Sequence, residues 1–398
     1  MSDSTADRAQ CSPGRRPDAS DVVGIVDDVL RRGIESAASD IHFEPTAGGL
    51  VVRFRLDGTL TVVEEFPKAL AENVISRLKV LGGLLTYRND IPQEGRIDAR
   101  PAAGPFVTDQ RLSIFPTIHG QRAVVRLFYE DAGLAELSQL GLPEHIRSAL
   151  ERIAGGNQGV LLLTGPAGSG KSTTLAALLR HILRRFPGKS VVALEDPVER
   201  HIPGVTQVQI DPHGEMTFPT ALRSLLRQDP EVLMIGEIRD AETARIAVEA
   251  GLTGHLLLST LHSGTPAAAL LRLLEMGIEP YQVTSSISAV ANQRLVRRLC
   301  AECKRPEAEG SGRFEPAGCE ACFHTGFRGR ALIAEMVQLD GRLRKAILAK
   351  ADLEELQRLA AERGHMSIGQ CGMQLVSRGI TTRREVDRVC GAAEDGEE

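Results

Sequence analysis

The sequence has no tryptophan, and only 4% of its 398 residues are aromatic, three of them tyrosine. Proteins that thread single-stranded nucleic acid stack bases on aromatic rings above a Lys/Arg-lined groove. With so few rings and a formal net charge of -5, a polyanion partner held by bulk charge is not favoured, though a local basic patch is not excluded. No apolar run approaches the ~20 residues that a membrane-spanning helix needs. Residues 1–18 are polar, carry Arg8, Arg15 and Arg16, and lack the apolar segment of a secretory signal. These absences lead to the expectation of a cytosolic chain. Cysteine is also sparse, seven in all, with Cys11, Cys371 and Cys390 scattered. The other four pair as Cys300-x2-Cys303 and Cys319-x2-Cys322. In a reducing compartment that pattern reads as a metal site and not as a disulfide framework.

What is present is ordinary globular composition, 42% hydrophobic and 25% charged, and a length that allows two or three domains. Residues 1–19, rich in Ser, Asp, Arg and Pro, read as a disordered tail. Residues 20–129 read as a small α+β domain. It has a helical stripe from Val22 to Leu30, strand-like runs at Asp40–Phe43, Val51–Leu56 and Leu60–Val63, a helix over Lys68–Leu81, and strands at Gln110–Ile114 and Gln121–Leu127. A linker over 130–137 leads to a second domain, 138–390, which opens on a helix near Glu144–Ile153. There strands at Val160–Thr164, Ser190–Leu194, Val205–Ile210, Val232–Ile235 and His255–Thr260 alternate with helices, the signature of a largely parallel sheet in an α/β fold. Beyond Thr265 the chain reads as mainly helical, interrupted by the cysteines. The acidic residues of 391–398 read as a solvated tail.

Gly165, Pro166, Ala167, Gly168, Ser169, Gly170, Lys171, Ser172 and Thr173 match the P-loop pattern G-x4-G-K-[ST], after an apolar strand and opening a helix. The glycines let backbone amides wrap phosphates, and the helix start adds a favourable dipole. Lys171 is expected to reach the β- and γ-phosphates of ATP, and the Ser172 hydroxyl to bind Mg2+. Such a site needs an acidic strand end. Val232–Ile235 followed by Gly236-Glu237 supplies one, but Gly236 stands where an Asp is usual. Another acid must therefore contribute. Glu195 and Asp196 follow the strand Val191–Leu194 and are expected to hold the Mg2+ shell, with the choice between them open and Glu199 a weaker candidate. Glu237 is expected to position and activate the attacking water. His262, just past a further strand end, is placed to sense a γ-phosphate; for His255 a structural role is equally compatible with its position.

Two C-x2-C turns separated by fifteen residues present four thiolates to one tetrahedral ion, the spacing of a structural zinc knuckle at Cys300, Cys303, Cys319 and Cys322. His324 is surplus to that set.

Taken together these elements resemble the secretion ATPase superfamily, specifically the assembly ATPases of type II secretion and type IV pili. Leu194–Glu199 resembles its Asp box, Leu225–Asp240 its Walker B signature and Ala250–His262 its His box. Gln293–Cys300 and Thr325–Arg330 are further matches. Ala38–Pro45, Val52–Gly58 and Pro92–Ile97 extend the likeness through residues 20 to 390. The resemblance implies a RecA-like P-loop NTPase domain preceded by a PAS-like α+β domain, and a homo-hexamer working on inner-membrane platform proteins of a secretion or pilus system, cytoplasmic and peripheral at the inner membrane. It also implies arginines supplied by a neighbouring subunit. By motif position Arg96 and Arg111 lead, with Arg55 and Arg126 as alternatives, while Arg239 is expected to orient the acids beside it. The cysteine motif marks assembly members; retraction members usually lack it. The family's additional N-terminal docking domain is expected to be absent. Glu94, Ser263-Gly264-Thr265 and Tyr87–Ile91 depart from the family pattern, which bears on regulation and partner choice. A DNA-transfer motor and a nucleotide-binding regulator without turnover are the alternatives. The first lacks aromatic and basic support. Against the second stand the intact Lys171, Ser172 and Glu237.

Overall fold

The computed structural model describes residues 21–98, 107–129, 136–211, 214–308, 312–362 and 366–391. The expected N-terminal tail, most of the expected linker and the acidic C-terminal end lie outside the described residues, as does Cys11. The chain divides into two compact units, Met1–Glu130 and Asp131–Glu398.

The first unit contains α1 (Val22–Glu35), β1 (Asp40–Pro45), β2 (Gly49–Leu56), β3 (Thr59–Pro67), α2 (Lys68–Leu81), β4 (Gln93–Ile97), β5 (Val107–Thr117) and β6 (Gly120–Tyr129). Its sheet has the order β3-β2-β1-β6-β5-β4, every neighbouring pair antiparallel. β2 alternates buried and half-buried residues, as a sheet with one covered face requires. α1 begins at Asp21, whose carboxylate accepts from the Gly24 amide, and buries Ile25, Val26, Val29, Leu30 and Ile34 along one stripe. Lys79 of α2 is fully buried, its ammonium donating to the Arg88 carbonyl and to Asn89. Burial lowers the Lys79 pKa.

The second unit runs α3 (Glu144–Ala154), β7 (Gly159–Thr164), α4 (Lys171–Arg185), β8 (Val191–Glu195), β9 (Thr206–Gln209), α5 (Phe218–Leu225), β10 (Val232–Ile235), α6 (Ala241–Leu252), β11 (Leu256–Leu261), α7 (Pro266–Glu275), α8 (Pro280–Ser286) and β12 (Ile287–Leu299). A short ribbon, β13 (Arg305–Pro306) with β14 (Phe314–Glu315), follows, then β15 (Phe327–Gln338), α9 (Gly341–Leu348), α10 (Leu353–Glu362), α11 (Ile368–Ser377) and α12 (Arg383–Cys390). The seven-stranded sheet has the order β15-β12-β7-β11-β10-β8-β9. All pairings are parallel except β12 with β15. Both faces are covered, which explains the unbroken apolar strands. Leu161 and Leu163 of β7 pack on the face that carries α3 and α4. Val160 and Leu162 pack on the other, with α5, α6, α7 and α8.

Beyond Thr265 the helices α7 to α12 meet the expectation of a mainly helical chain, but that reading missed β12 and β15, which form a long antiparallel pair that joins the sheet through β7. Ala289, Val290, Ala291, Asn292 and Gln293 are all buried, so β12 shows no two-residue alternation. Its Ala, Leu, Gln and Arg are good helix formers. Burial against β7 overrides that preference.

Candidate functional site

β7 ends at the loop Gly165–Gly170, and α4 starts at Lys171. Gly165, Gly168 and Gly170 have φ of 140°, 73° and 91°, which side chains resist. A Cβ on Gly165 would lie 2.4 Å from the Gln293 carbonyl oxygen. No side chain caps the amides of the first turn of α4, and such amides at a helix start favour an anion. Ser169 is buried, and its carbonyl accepts from Gln293 Nε2 at 3.1 Å. Lys171 Nζ donates to the carbonyls of Gly165 (2.8 Å) and Pro166 (2.9 Å). Burial lowers the Lys171 pKa, against the opposing charges of Glu237 and Glu199.

The parallel strands deliver the acids to the same edge. Glu237, just beyond β10, is mostly shielded. Its Oε1 lies 2.9 Å from His262 Nε2, and its Oε2 accepts from Arg239 Nε at 2.9 Å. Arg239 also approaches Asp196 at 3.6 Å, so one guanidinium orients two carboxylates. β11 is tied to this strand end by Ser259 Oγ donating to the Ile235 carbonyl (2.9 Å) and Thr260 Oγ1 donating to the Gly236 carbonyl (2.7 Å). Glu195 closes β8, and with Ser172, Glu199, Arg200 and Gly236 it lines a small cleft. Burial raises the Glu195 pKa; Gln207 Nε2, donating at 2.8 Å, works against the rise, while the charge of Glu199 adds to it.

His255 is not brought to this group. It precedes β11, where its ring Nδ1 lies 3.2 Å from the Ala250 carbonyl at the end of α6. Seven residues of extended chain, about 23 Å, separate it from His262. Sequence reasoning missed Gln207, Asn292, Gln293 and Arg294. The last three belong to the segment read as helical, although Gln293 and Arg294 lie in the stretch Gln293–Cys300 marked by its family likeness.

In the first unit Arg96, Arg111 and Arg126 stand in register across β4, β5 and β6, and Asp40 of β1 stands opposite Arg126. Asp109 pairs with Arg96 at 2.7 Å and with Arg111 at 3.1 Å. Asp40 pairs with Arg126 at 2.9 Å and with Arg55 at 3.4 Å. The four arginines named as candidates for action on a neighbour thus form one row in which four guanidiniums share two carboxylates. Arg111 also stacks on Phe128, 4.7 Å from the ring centre.

The four cysteines converge, their sulfurs all within 4.8 Å of one another. The separations are 3.9 Å for Cys300–Cys319, 3.8 Å for Cys303–Cys322 and 3.7 Å for Cys319–Cys322. A tetrahedral ion with Zn–S bonds of about 2.3 Å spaces its sulfurs by about 3.8 Å. The donor set therefore fits zinc. Burial pushes the Cys319 thiol up to about 12. Burial also acts against a thiolate at Cys322, but amide donors from Cys319 and Gly326 prevail and bring it to about 7.

A largely parallel sheet brings a lysine-bearing glycine loop and a carboxylate-histidine pair to one edge, an arrangement suited to holding the phosphates of a nucleotide. The family model described as "Type II/IV secretion system protein" matches residues 16–388, and the chain belongs to this family of ATPases. It is 41% identical over 372 residues to the "Type II secretion system protein HxcR" of Pseudomonas aeruginosa, covering 94% of this chain and 78% of that protein. It is 39% identical over 377 residues to the "Type IV pilus assembly ATPase PilB" of Thermus thermophilus, covering 91% of this chain but only 42% of that longer protein. In fold it is similar to the Yersinia pseudotuberculosis ATPase DotB, with a TM-score of 0.69 at 22% identity, over 93% of this chain and 94% of that one. Among the described residues no helix is long and apolar enough to cross a membrane.

Proposed function

We propose that the chain is the ATP-hydrolysing motor subunit of a type II secretion or type IV pilus assembly machine. It has a RecA-like P-loop domain, works as a hexamer and is docked from the cytoplasm on an inner-membrane platform. The observation that carries the catalytic reading is Glu237, held between His262 and Arg239 beside the loop of Lys171.

Lys171 exchanges its bonds to the Gly165 and Pro166 carbonyls for β- and γ-phosphate oxygens, while the amides of Ser169 to Thr173 and the start of α4 receive the rest of the negative charge. Ser172, Glu195 and Asp196 would hold Mg2+, which supplies charge neutralisation across the phosphates when bound. Glu237, its two oxygens fixed by separate donors, orients water and accepts its proton. His262 reports the γ-phosphate to the strand edge. Arg96 and Arg111 bring cationic charge from a neighbouring subunit, with Arg126 and Arg55 bracing the row. Cys300, Cys303, Cys319 and Cys322 would hold zinc, which would serve as a structural clasp between the end of β12 and the start of β15, since protein thiolates fill every position.

Phosphate release by purified protein with Mg2+ and ATP tests this. Lys171→Ala should abolish it. Glu237→Gln should bind ATP and fail to turn it over. Turnover unchanged in either variant rejects the reading.

A further inference from the structure

The loop between β11 and α7 carries His262 and is braced by side chains at two points, Arg272 Nη1 donating to the His262 carbonyl at 3.2 Å and Ser263 Oγ donating to the Thr265 carbonyl at 3.0 Å. Gly264 offers none, and a Cβ built there would meet nothing within 4 Å. Glycine also gives such a segment its widest backbone freedom. Yet the Gly264 carbonyl accepts two donors, Asn292 Nδ2 at 2.9 Å and Arg294 Nη2 at 3.0 Å. Arg294 Nη1 in turn donates to Asn292 Oδ1 at 2.6 Å. Asn292 is fully buried, and its amide also donates to Glu335 Oε1 on β15 at 2.8 Å. The second Glu335 oxygen accepts from the Ile368 amide at the start of α11, at 3.1 Å. Asn292 stands in register with Thr164, the last residue before the glycine loop, so this clamp spans the entrance to the loop.

Arg294 pairs with no carboxylate among the described residues; its fork is spent on one side-chain oxygen and on the carbonyls of Gly264 and Gln293. A planar guanidinium bridges two acceptors in fixed geometry, which a lysine cannot do. The imidazole two residues earlier must meet Glu237 within hydrogen-bond reach.

We propose that Arg294 and Asn292 are positioning residues for hydrolysis: by saturating the Gly264 carbonyl they fix the loop that holds His262 on Glu237. The proposal rests on the reading of Glu237 and His262 as the hydrolytic pair. Misplacing a catalytic group by about 1 Å can cost on the order of 100-fold in rate.

The test is a cycle of four proteins, wild type, Arg294→Ala, His262→Ala and the double variant, each assayed for kcat, KM and affinity for a fluorescent ATP analogue. Arg294→Ala should lower kcat about tenfold and leave KM and nucleotide affinity within about twofold. In the His262→Ala background it should lower kcat no further. Arg294→Lys, which keeps the charge but not the fork, should fall between. Additive losses, or a nucleotide affinity that weakens in step with kcat, would overturn the proposal, because Arg294 would then serve the phosphate loop itself. Undiminished turnover in His262→Ala would instead reject the hydrolytic pair. If Arg294→Ala does not yield folded protein, Arg294→Gln supports the same comparison.

Discussion

Gln293 donates its side-chain amide to the Ser169 carbonyl across 3.1 Å, tying a strand that leads to the cysteine cluster to the loop that leads to Lys171. Both partners are buried, so removing the donor leaves a carbonyl without its bond, a loss of about 1–3 kcal/mol. Part of that falls on the loop itself. Gln293→Ala should weaken ATP affinity by roughly three- to tenfold and lower the melting temperature by a few degrees. Titration with a fluorescent nucleotide and calorimetry on the same preparation check both.

The carboxyl of Glu195 is predicted to set the acid limb of activity. Burial holds its pKa above the ordinary range, and the Gln207 donor favours the charged form. If the carboxylate is needed to hold Mg2+, activity falls as pH drops through this raised value. Gln207→Ala removes a bond to the charged form, so the pKa climbs further and the acid limb of kcat/KM moves to higher pH. A limb that stays in place or moves down removes Glu195 from the metal shell.

A second carboxylate gives a stability signal of opposite sign. Glu385 of α12 is almost wholly buried; burial pushes its pKa up, but Arg388 and Arg297 overcome that and bring it down to about 2. Because the folded value lies below the ordinary 4.5, its contribution is complete above about pH 4.5. It is lost as pH falls toward 2. The separation corresponds to about 3 kcal/mol. Glu385→Gln should destabilise the packing of α12 on β12 at pH 7 and flatten the loss of stability between pH 4.5 and 2, as followed by thermal melts across that range.

Zinc analysis bears on the clasp. Three of the sulfur–sulfur separations already match a tetrahedral site, and four thiols so close must release protons to take a dication. Protein purified without chelator should carry one zinc per chain, and Cys300→Ser less than half of that. Metal removal should also weaken nucleotide affinity a few-fold, since β12 runs from the cluster to Gln293. Wild-type protein free of metal would remove the claim.

How far the sequence reveals this site depends on how local each signal is. The loop before Lys171 needs particular residues at consecutive positions, and the cysteines need a spacing, so both are readable in one dimension. Glu237 and His262 were legible because each ends a short apolar strand in a parallel sheet, where strand ends share an edge. The clamp on Gly264 was not legible. Asn292 and Arg294 lie more than 120 residues beyond the glycine loop on a strand buried on both faces, whose pattern is that of a helix until β7 is placed beside it. The arginine row was half legible: motif likeness picked out Arg55, Arg96, Arg111 and Arg126 one by one, but only strand register makes them neighbours.

That row yields the test of action between subunits. Arg96 and Arg111 share Asp109, and both are more than half exposed, so either guanidinium can leave the carboxylate for a phosphate at little cost. If they serve a neighbour's nucleotide, Arg111→Ala should leave nucleotide affinity of the isolated subunit unchanged while lowering turnover about 1000-fold or more, as loss of an arginine supplied in trans does. Lys171→Ala subunits are inactive for a different reason, because they lack the loop cation. Mixing the two inactive proteins should restore part of the activity, since some interfaces then combine an intact Lys171 on one side with an intact Arg111 on the other. Recovery that peaks near equal amounts and is absent at either extreme supports supply in trans. No recovery at any ratio, in mixtures shown to co-assemble, would mean that Arg111 acts within its own chain or only braces the sheet.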